Sequence, residues 1–226
     1  MSGSLRIDLH VHSTHSPDSR LPLDSIPDLL GPRALSGFAL TDHNTIAGHS
    51  RLKELARDYP RYLLVPGVEV STAHGHLLAL GVDAVPPKDR PLPETIDWIR
   101  SHGGVSILAH PFRRVHGAGA HWALEAKVDG LETVNGHNLA VPNARAEVIA
   151  AKRGLSGTGG SDSHSAITVG RAFTQFSEEP STVDDLLTSL QKGRGEGAGR
   201  SLTRVEWMRQ AWTNGIRRAG RRFKPI

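Results

Sequence analysis

Short apolar segments alternate with helix-like ones along this chain, and the apolar segments repeatedly end in a histidine or a carboxylate. In Asp8-Leu9-His10-Val11-His12 the Leu9/Val11 alternation marks a strand over 6–12. Residues two apart in a strand point the same way, so His10 and His12 project together, with Asp8 on their side. Strand patterns at 37–41, 62–71, 105–109, 130–134 and 156–159 lead into or carry Asp42-His43, Glu69, His110, Glu132 to Asn135, and Asp162 to His164. A partner strand at 75–81 follows the third through a tight turn at 72–74, and another strand lies at 172–176. Helix-like stretches near 24–30, 46–58, 93–102, 142–153 and 182–192 separate these segments. Repeated units of this kind imply an α/β fold, a parallel sheet covered by helices. Closed into a barrel, such units put all the strand C-termini on one face, so His10 and residues as distant as His164 meet in one pocket.

Composition narrows the chemistry. The chain has 13 histidines and no cysteine, so a metal site must use His, Asp and Glu. That donor set suits Mn, Fe or Zn better than Cu(I) or an iron–sulfur cluster. A chain of 226 residues can build one domain with a full core. No apolar run approaches the 18 residues or so that a membrane span needs, and the N-terminal residues lack a basic-then-apolar signal layout. A cytoplasmic enzyme is the expectation, and the sequence does not set its oligomeric state.

The charge is uneven. From Arg200 onward, eight Lys/Arg face one glutamate, a surplus of seven, which leaves residues 1–199 three charges negative against a net +4. Residues 193–199 read as a glycine-rich linker and 200–226 as a basic amphipathic tail, with Leu202, Val205, Met208, Trp212, Ile216 and Ala219 as its apolar stripe. One expectation for that tail is packing on the barrel with its arginines in water. The other is a salt-sensitive contact with nucleic acid or an acidic membrane surface.

Taken in order, the motifs His10-Val-His12, Thr41-Asp-His43, Gly67-Val-Glu69, Ala109-His-Pro111 and Ser161-Asp-Ser-His164 resemble the polymerase and histidinol phosphatase (PHP) family over roughly residues 5–192. The resemblance implies a distorted (β/α)7 TIM-like barrel over 1–192, with two or three divalent metal ions (Mn, Fe or Zn, with Mg allowed) at its C-terminal rim. It also implies the ligands His10, His12, Asp18, His43, Glu69, His76, His110, Asp162 and His164. Asp18 competes with His15 in the same loop, and His76 with His74 across a turn; family spacing favours Asp18 and His76. Asp8 and Asp42 are expected to orient ligands rather than to bind. His49, His102, His116 and His121 read as plain surface residues.

The activity implied is hydrolysis of a small phosphate ester, a metabolite or nucleotide, by metal-bound hydroxide. Two cations can hold the ester and the nucleophile together, with Glu69 bridging them. The guanidinium of Arg113 suits phosphate; Asn135 and His137 are further substrate-binding candidates, and His137 or a metal-bound water the candidate acid. The alternative is a nuclease acting on DNA or RNA ends, with the basic tail as nucleic-acid contact. Against it stand the acidic body and the 5% aromatic content, which leaves few stacking platforms. A non-enzymatic relic is disfavoured, since each of the nine positions keeps a ligand-type residue.

Overall fold

The computed structural model of the chain describes residues 5–178 and 180–209. Nine strands form one sheet in the order β7-β6-β5-β4-β3-β2-β1-β8-β9. They are β1 (Leu5–Val11), β2 (Gly37–Leu40), β3 (Leu63–Thr72), β4 (Gly75–Leu80), β5 (Val105–Leu108), β6 (Gly130–Asn135), β7 (Ser156–Gly160), β8 (Ala172–Phe176) and β9 (Gly195–Gly199). The helices are α1 (Ile26–Leu30), α2 (His49–Asp58), α3 (Leu92–Ser101), α4 (Gly119–Glu125), α5 (Ala140–Arg153) and α6 (Val183–Gln191). Two parallel triplets, β1-β2-β3 and β5-β6-β7, are joined by the antiparallel strand β4. The β3–β4 hairpin is the one read from the sequence; α4 and β9 were not.

Three apolar clusters hold the sheet. Ile7, Leu9, Ala39, Val65, Leu78, Leu80, Val105 and Ile107 pack with Leu186, Leu187 and Leu190 of α6. Phe38, Leu40 and Leu64 pack against α1 and α2 through Ile26, Leu30, Leu52 and Leu55. Val68, Val70, Leu77 and Leu108 meet α3, α4 and α5 through Ile96, Ile99, Ala123 and Ala150. Burial of a Leu or Ile of this kind contributes about 1.5–3 kcal/mol. Local chemistry sets the ends: Thr182 and Asp185 form a capping box on α6, and Gly154 closes α5 at φ 64°.

The barrel nearly closes where β7 meets β1, β8 and β9, and the closure is made by side chains and missing side chains. Thr174 Oγ1 accepts from Gly159 N (2.9 Å), and Ser156 Oγ accepts from Gly195 N (3.1 Å). A Cβ on Gly159 would lie 2.1 Å from Phe173 O, and one on Gly160 would lie 2.3 Å from His10 Cβ. Only glycine lets the strands approach this closely.

The stretch 193–199 is therefore not a linker. Gly195–Gly199 is β9, antiparallel to β8, and a Cβ on Gly197 would collide with Thr158 O at 2.7 Å. Its glycines serve close packing instead of flexibility. Nor does the segment after it start as a free appendage: Leu202 is buried, its N–H donates to Asn138 O (2.7 Å), and Ser201 Oγ accepts from Asn143 Nδ2 (2.9 Å). Residues 204–209 are helical, with Glu206 held by Arg200 and Arg171, while Val205 and Met208 face solvent. The rest of the apolar stripe, Trp212, Ile216 and Ala219, and the arginines from Arg217 on lie outside the described residues. No helix among the described residues is long and apolar enough to cross a membrane.

Gly159→Ala should cost about 3–4 kcal/mol, because the new methyl meets rigid backbone. Gly103→Ala, at φ 72° with open space around it, should cost about 1 kcal/mol. Urea unfolding of both variants checks this; equal losses would remove the close-approach argument for closure.

Candidate metal centre

The sheet delivers all nine expected ligand residues to one end of the barrel. His10 lies on β1 and His12 just beyond it, past a register irregularity against β2. His43 follows β2 and forms an isolated bridge with Glu69 on β3. His76 stands on β4 opposite Ser71. His110 follows β5, and Asp162 and His164 follow β7. Side-chain donor atoms of His10, His12, His43, Glu69, His76, His110, Asp162 and His164 fall into overlapping groups within 4.8 Å of one another. Asp18 Oδ2 reaches the open side of the cluster, 3.2 Å from His164 Nε2 and 3.5 Å from His43 Nε2. Its competitor His15 is exposed, and the His74 ring meets Trp122 at a tilt of 48°.

Glu69 is the hub. Its Oε1 lies 2.8 Å from His76 Nδ1 and 2.9 Å from His110 Nε2; its Oε2 lies 3.0 Å from His43 Nδ1, 3.2 Å from His12 Nε2 and 3.3 Å from His10 Nε2. Asp162 Oδ1 stands 3.4 Å from His12 Nε2 and 3.6 Å from His10 Nε2. His10, His12, Glu69, His110 and Asp162 are buried, whereas His43 and His164 are partly exposed, so the centre opens on one side.

Neighbours dictate the imidazole tautomers. His10 Nδ1 donates to Glu132 Oε1 (2.9 Å), whose other oxygen accepts from His110 N (2.7 Å) and Asn135 Nδ2 (3.0 Å). Ser16 Oγ donates to Asp42 Oδ1 (2.9 Å), so it accepts from His12 Nδ1 (3.2 Å). His164 Nδ1 donates to Asp162 O (2.8 Å). Each of these rings thus turns Nε2 inward as a donor to a cation, the arrangement that metal-binding histidines use.

Two observations fit divalent cations here. The Nε2 atoms of His10 and His12 are 3.1 Å apart with two carboxylate oxygens beside them, a geometry that needs a positive centre among four lone pairs. His110 Nε2 faces Glu69, and its Nδ1 is buried with no hydrogen-bond partner among the described residues. The donor set, nitrogen and carboxylate oxygen without thiolate, suits borderline to hard metals.

Without a cation the carboxylates hold protons in the cluster. Burial lowers the basicity of His12, but Asp162 and Glu69 outweigh it and hold the imidazole up at about 9. His10 is likewise raised well above its ordinary value, burial being outweighed by Asp162, Glu132 and Glu69. Burial pushes Glu69 and Asp162 up, yet the surrounding histidines, and Arg113 for Asp162, hold both well below the usual carboxylate range. Hydrogen bonds from His164 and His43 keep Asp18 low as well. Burial and Arg113 depress His110 to about 4.

The three expected substrate contacts divide. Arg113 is no free clamp: its Nη2 donates to Asp162 Oδ2 (2.5 Å) and Asn135 Oδ1 (2.8 Å), and its Nε to Asn138 Oδ1 (3.1 Å). Asn135 is fully buried, bonded through its side chain to Arg113, Glu132, Asp162 and the His137 N–H. It positions these neighbours, and its side-chain amide is engaged by them. His137 does stand at the rim, partly buried, in a donor group with Asp162 and His164. Asp8 accepts from Ser161 N (2.8 Å) and Gly170 N (2.8 Å), and burial raises it to about 6; it anchors the loop that carries Asp162. Asp42 accepts from Ser13 and Ser16 and anchors the first loop.

Sequence reading passed over Glu132 as a positioning residue, although a lone carboxylate inside an apolar strand was a visible signal. Ser16, Asn138 and Asn143 carried none. The bland reading of His116 is also incomplete, since its ring stacks on His76 at 4.6 Å.

Comparisons with known proteins find the same fold elsewhere. A family model described as PHP-associated matches residues 141–194, which include Asp162 and His164. An uncharacterized protein of Methanocaldococcus jannaschii is 28% identical over 144 residues, 59% of this chain and 84% of that one. Among solved structures, a two-domain protein from Bacteroides vulgatus containing a predicted PHP-like metal-dependent phosphoesterase superposes with a TM-score of 0.72. The identity is 19%, over 92% of this chain and 68% of that one. A lesion-specific endonuclease from Pyrococcus furiosus gives a TM-score of 0.64 at 17% identity, over 86% of this chain and 57% of that one.

Because protons occupy His10 and His12 in the metal-free protein, a cation must displace them. Affinity should therefore rise with pH toward about 9, where His12 loses its proton unaided, and fall as pH drops. Calorimetry at pH 7 in buffers of different ionisation enthalpy should show at least one proton released per chain; none released contradicts the proton-held cluster. Glu132→Gln, which loosens the His10 tautomer, should weaken metal binding about 10–100-fold.

Proposed function

From a chain that is PHP-like in its fold and in the order of its motifs, we propose metal-dependent hydrolysis of a phosphate ester at this cluster. The observation that supports it most is Glu69, one buried carboxylate ringed by five imidazoles with Asp162 opposite. Such a carboxylate can bridge cations and offset their mutual repulsion. His10, His12, Asp18, His43, Glu69, His76, His110, Asp162 and His164 are the residues that would hold two or three of them. Bound cations would supply Lewis acidity and lower the pKa of water toward about 7.

The protein's own groups do the rest. Glu132, Ser16 and Asp42 keep the imidazole lone pairs pointed inward, so no reorganisation is needed when charge develops on the phosphoryl group. Arg113 neutralises one oxygen of Asp162 and leaves the other to the cluster. Burial and Arg113 depress His137 to about 4, so it is neutral at pH 7. It can offer a substrate oxygen a hydrogen bond, but it is poorly suited to be the general acid. The open side, lined by His43, Asp18 and His164, is where an ester can enter.

The test is a screen of stripped protein reloaded separately with Mn, Fe, Zn and Mg against phosphomonoesters, nucleotides and oligonucleotides. Turnover of a small ester that requires the metal is expected. Cleavage confined to oligonucleotides would favour the nuclease reading, which the likeness to an endonuclease fold keeps in view. Glu69→Gln, of the same size without the charge, should lower turnover at least ~10²-fold. Wild-type turnover and metal content in that variant would remove the bridging role.

A further inference from the structure

The chain beyond β9 carries a second surface that the metal chemistry does not use. Thr203 and Glu206 start a helix there with a capping box: Glu206 N donates to Thr203 Oγ1 (3.2 Å), and Thr203 N to Glu206 Oε2 (2.9 Å). Residues 204–209 are helical. Glu206 also fixes which side of that helix meets the barrel. Its Oε1 accepts from Arg171 Nη2 (3.3 Å), just before β8, and from Arg200 Nη2 (2.8 Å), just after β9. Val205 and Met208 are left 54% and 55% exposed. The helix thus turns its one carboxylate to the barrel and these two apolar side chains to solvent.

The sequence extends the exposed face. Trp212, Ile216, Ala219 and Phe223, which lie outside the described residues, continue the spacing of three and four that Val205 and Met208 begin. Glu206 is the last acid in the sequence, and Arg217, Arg218, Arg221, Arg222 and Lys224 follow it. An apolar stripe with Trp and Phe on an otherwise basic helix is the pattern of helices that lie in a membrane interface.

We propose that residues 203–226 bind an anionic phospholipid surface, with the stripe from Val205 to Phe223 buried at the boundary of the acyl chains and the arginines among the headgroups. Both halves of the pattern are then used: apolar area leaves water, and the basic groups meet opposite charge at the same depth. Residues 1–199, three charges negative, add no attraction to such a surface, which leaves the tail as the point of contact. A nucleic acid would engage the arginines and leave the stripe in water. A second copy would cover the stripe, but it would bring two basic segments together with no acid after Glu206 to pair them.

Cosedimentation of the full chain with sucrose-loaded vesicles tests this. Mixed phosphatidylglycerol and phosphatidylcholine vesicles should bind it at least about tenfold more tightly than phosphatidylcholine alone, and added salt should weaken the binding. Val205→Gln combined with Met208→Gln keeps the charge and removes apolar area. It should lower the vesicle affinity at least about tenfold, with metal content and melting temperature unchanged. Should that double variant fail to fold, Trp212→Gln carries the same expectation. Equal affinity for the two vesicle types, or none for either, overturns the proposal. So does a folded variant that binds like the wild type, since charge alone would then hold the tail. Tighter binding of a duplex oligonucleotide than of anionic vesicles, unaffected by the double variant, would assign the segment to nucleic acid. A dimer in sedimentation equilibrium that the double variant dissolves would assign the stripe to a second copy. Either result also overturns the lipid surface.

Discussion

The centre depends on β7 coming within backbone contact of β1. His12 N donates to Ser163 O (2.9 Å), Asp162 N to His10 O (2.7 Å), and Ser161 N to Asp8 Oδ1 (2.8 Å). These bonds dock the loop after β7 on the end of β1 and bring Asp162 and His164 to His10 and His12. They form only because Gly160 has no side chain to strike His10. The neighbouring closure, through Thr174, Ser156 and the glycines of β9, holds β7 along the same closing edge. A bulkier residue at this seam would separate the two halves of the cluster while leaving every ligand in the sequence.

Collecting so many ionisable groups out of water opposes folding, because buried charges lose hydration that neighbours must replace. The chain meets this in layers. Glu69 and Asp162 are surrounded by imidazoles and Arg113, and Glu132 by the His10 ring, the His110 amide and Asn135. Asp42 is tied by two serines and a backbone N–H. Among the described residues the outer layer is fully paired, whereas the inner layer leaves His110 Nδ1 without a partner and two Nε2 atoms face to face. A cation beside the two Nε2 atoms would satisfy them, so rigidity outside and unmet donor capacity inside belong to one arrangement.

Beside the seam a chain of polar residues runs from the end of β6 through the following loop to α5. Asn135, Asn138 and Asn143 pass hydrogen bonds from Arg113 to Ser201, so the chain beyond β9 is tied, through side chains, to the residue that pairs with Asp162. A segment read from composition as a separate tail thus begins as part of the barrel's upper wall.

The sequence alone determined the strand–helix alternation, the β3–β4 hairpin and the gathering of His10, His12, His43, Glu69, His110, Asp162 and His164. Apolar periodicity sets which residues form strands, and a strand's direction sets which end a flanking residue occupies; both are local. What stayed hidden is long-range. Glycine over 193–199 reads as flexibility, because a sequence does not show that Thr158 lies within 3 Å of where a Cβ on Gly197 would stand. Arg113 reads as a phosphate clamp until Asp162, Asn135 and Asn138 are seen to occupy it. Glu132 looks like one more rim carboxylate until the His10 ring is found on it. His116 is exposed, as read, yet only the folded loop shows its ring stacked on His76. A residue's type announces which chemistry it can do, whereas its partners, supplied by strands far away in the chain, decide which of those it is left free to do.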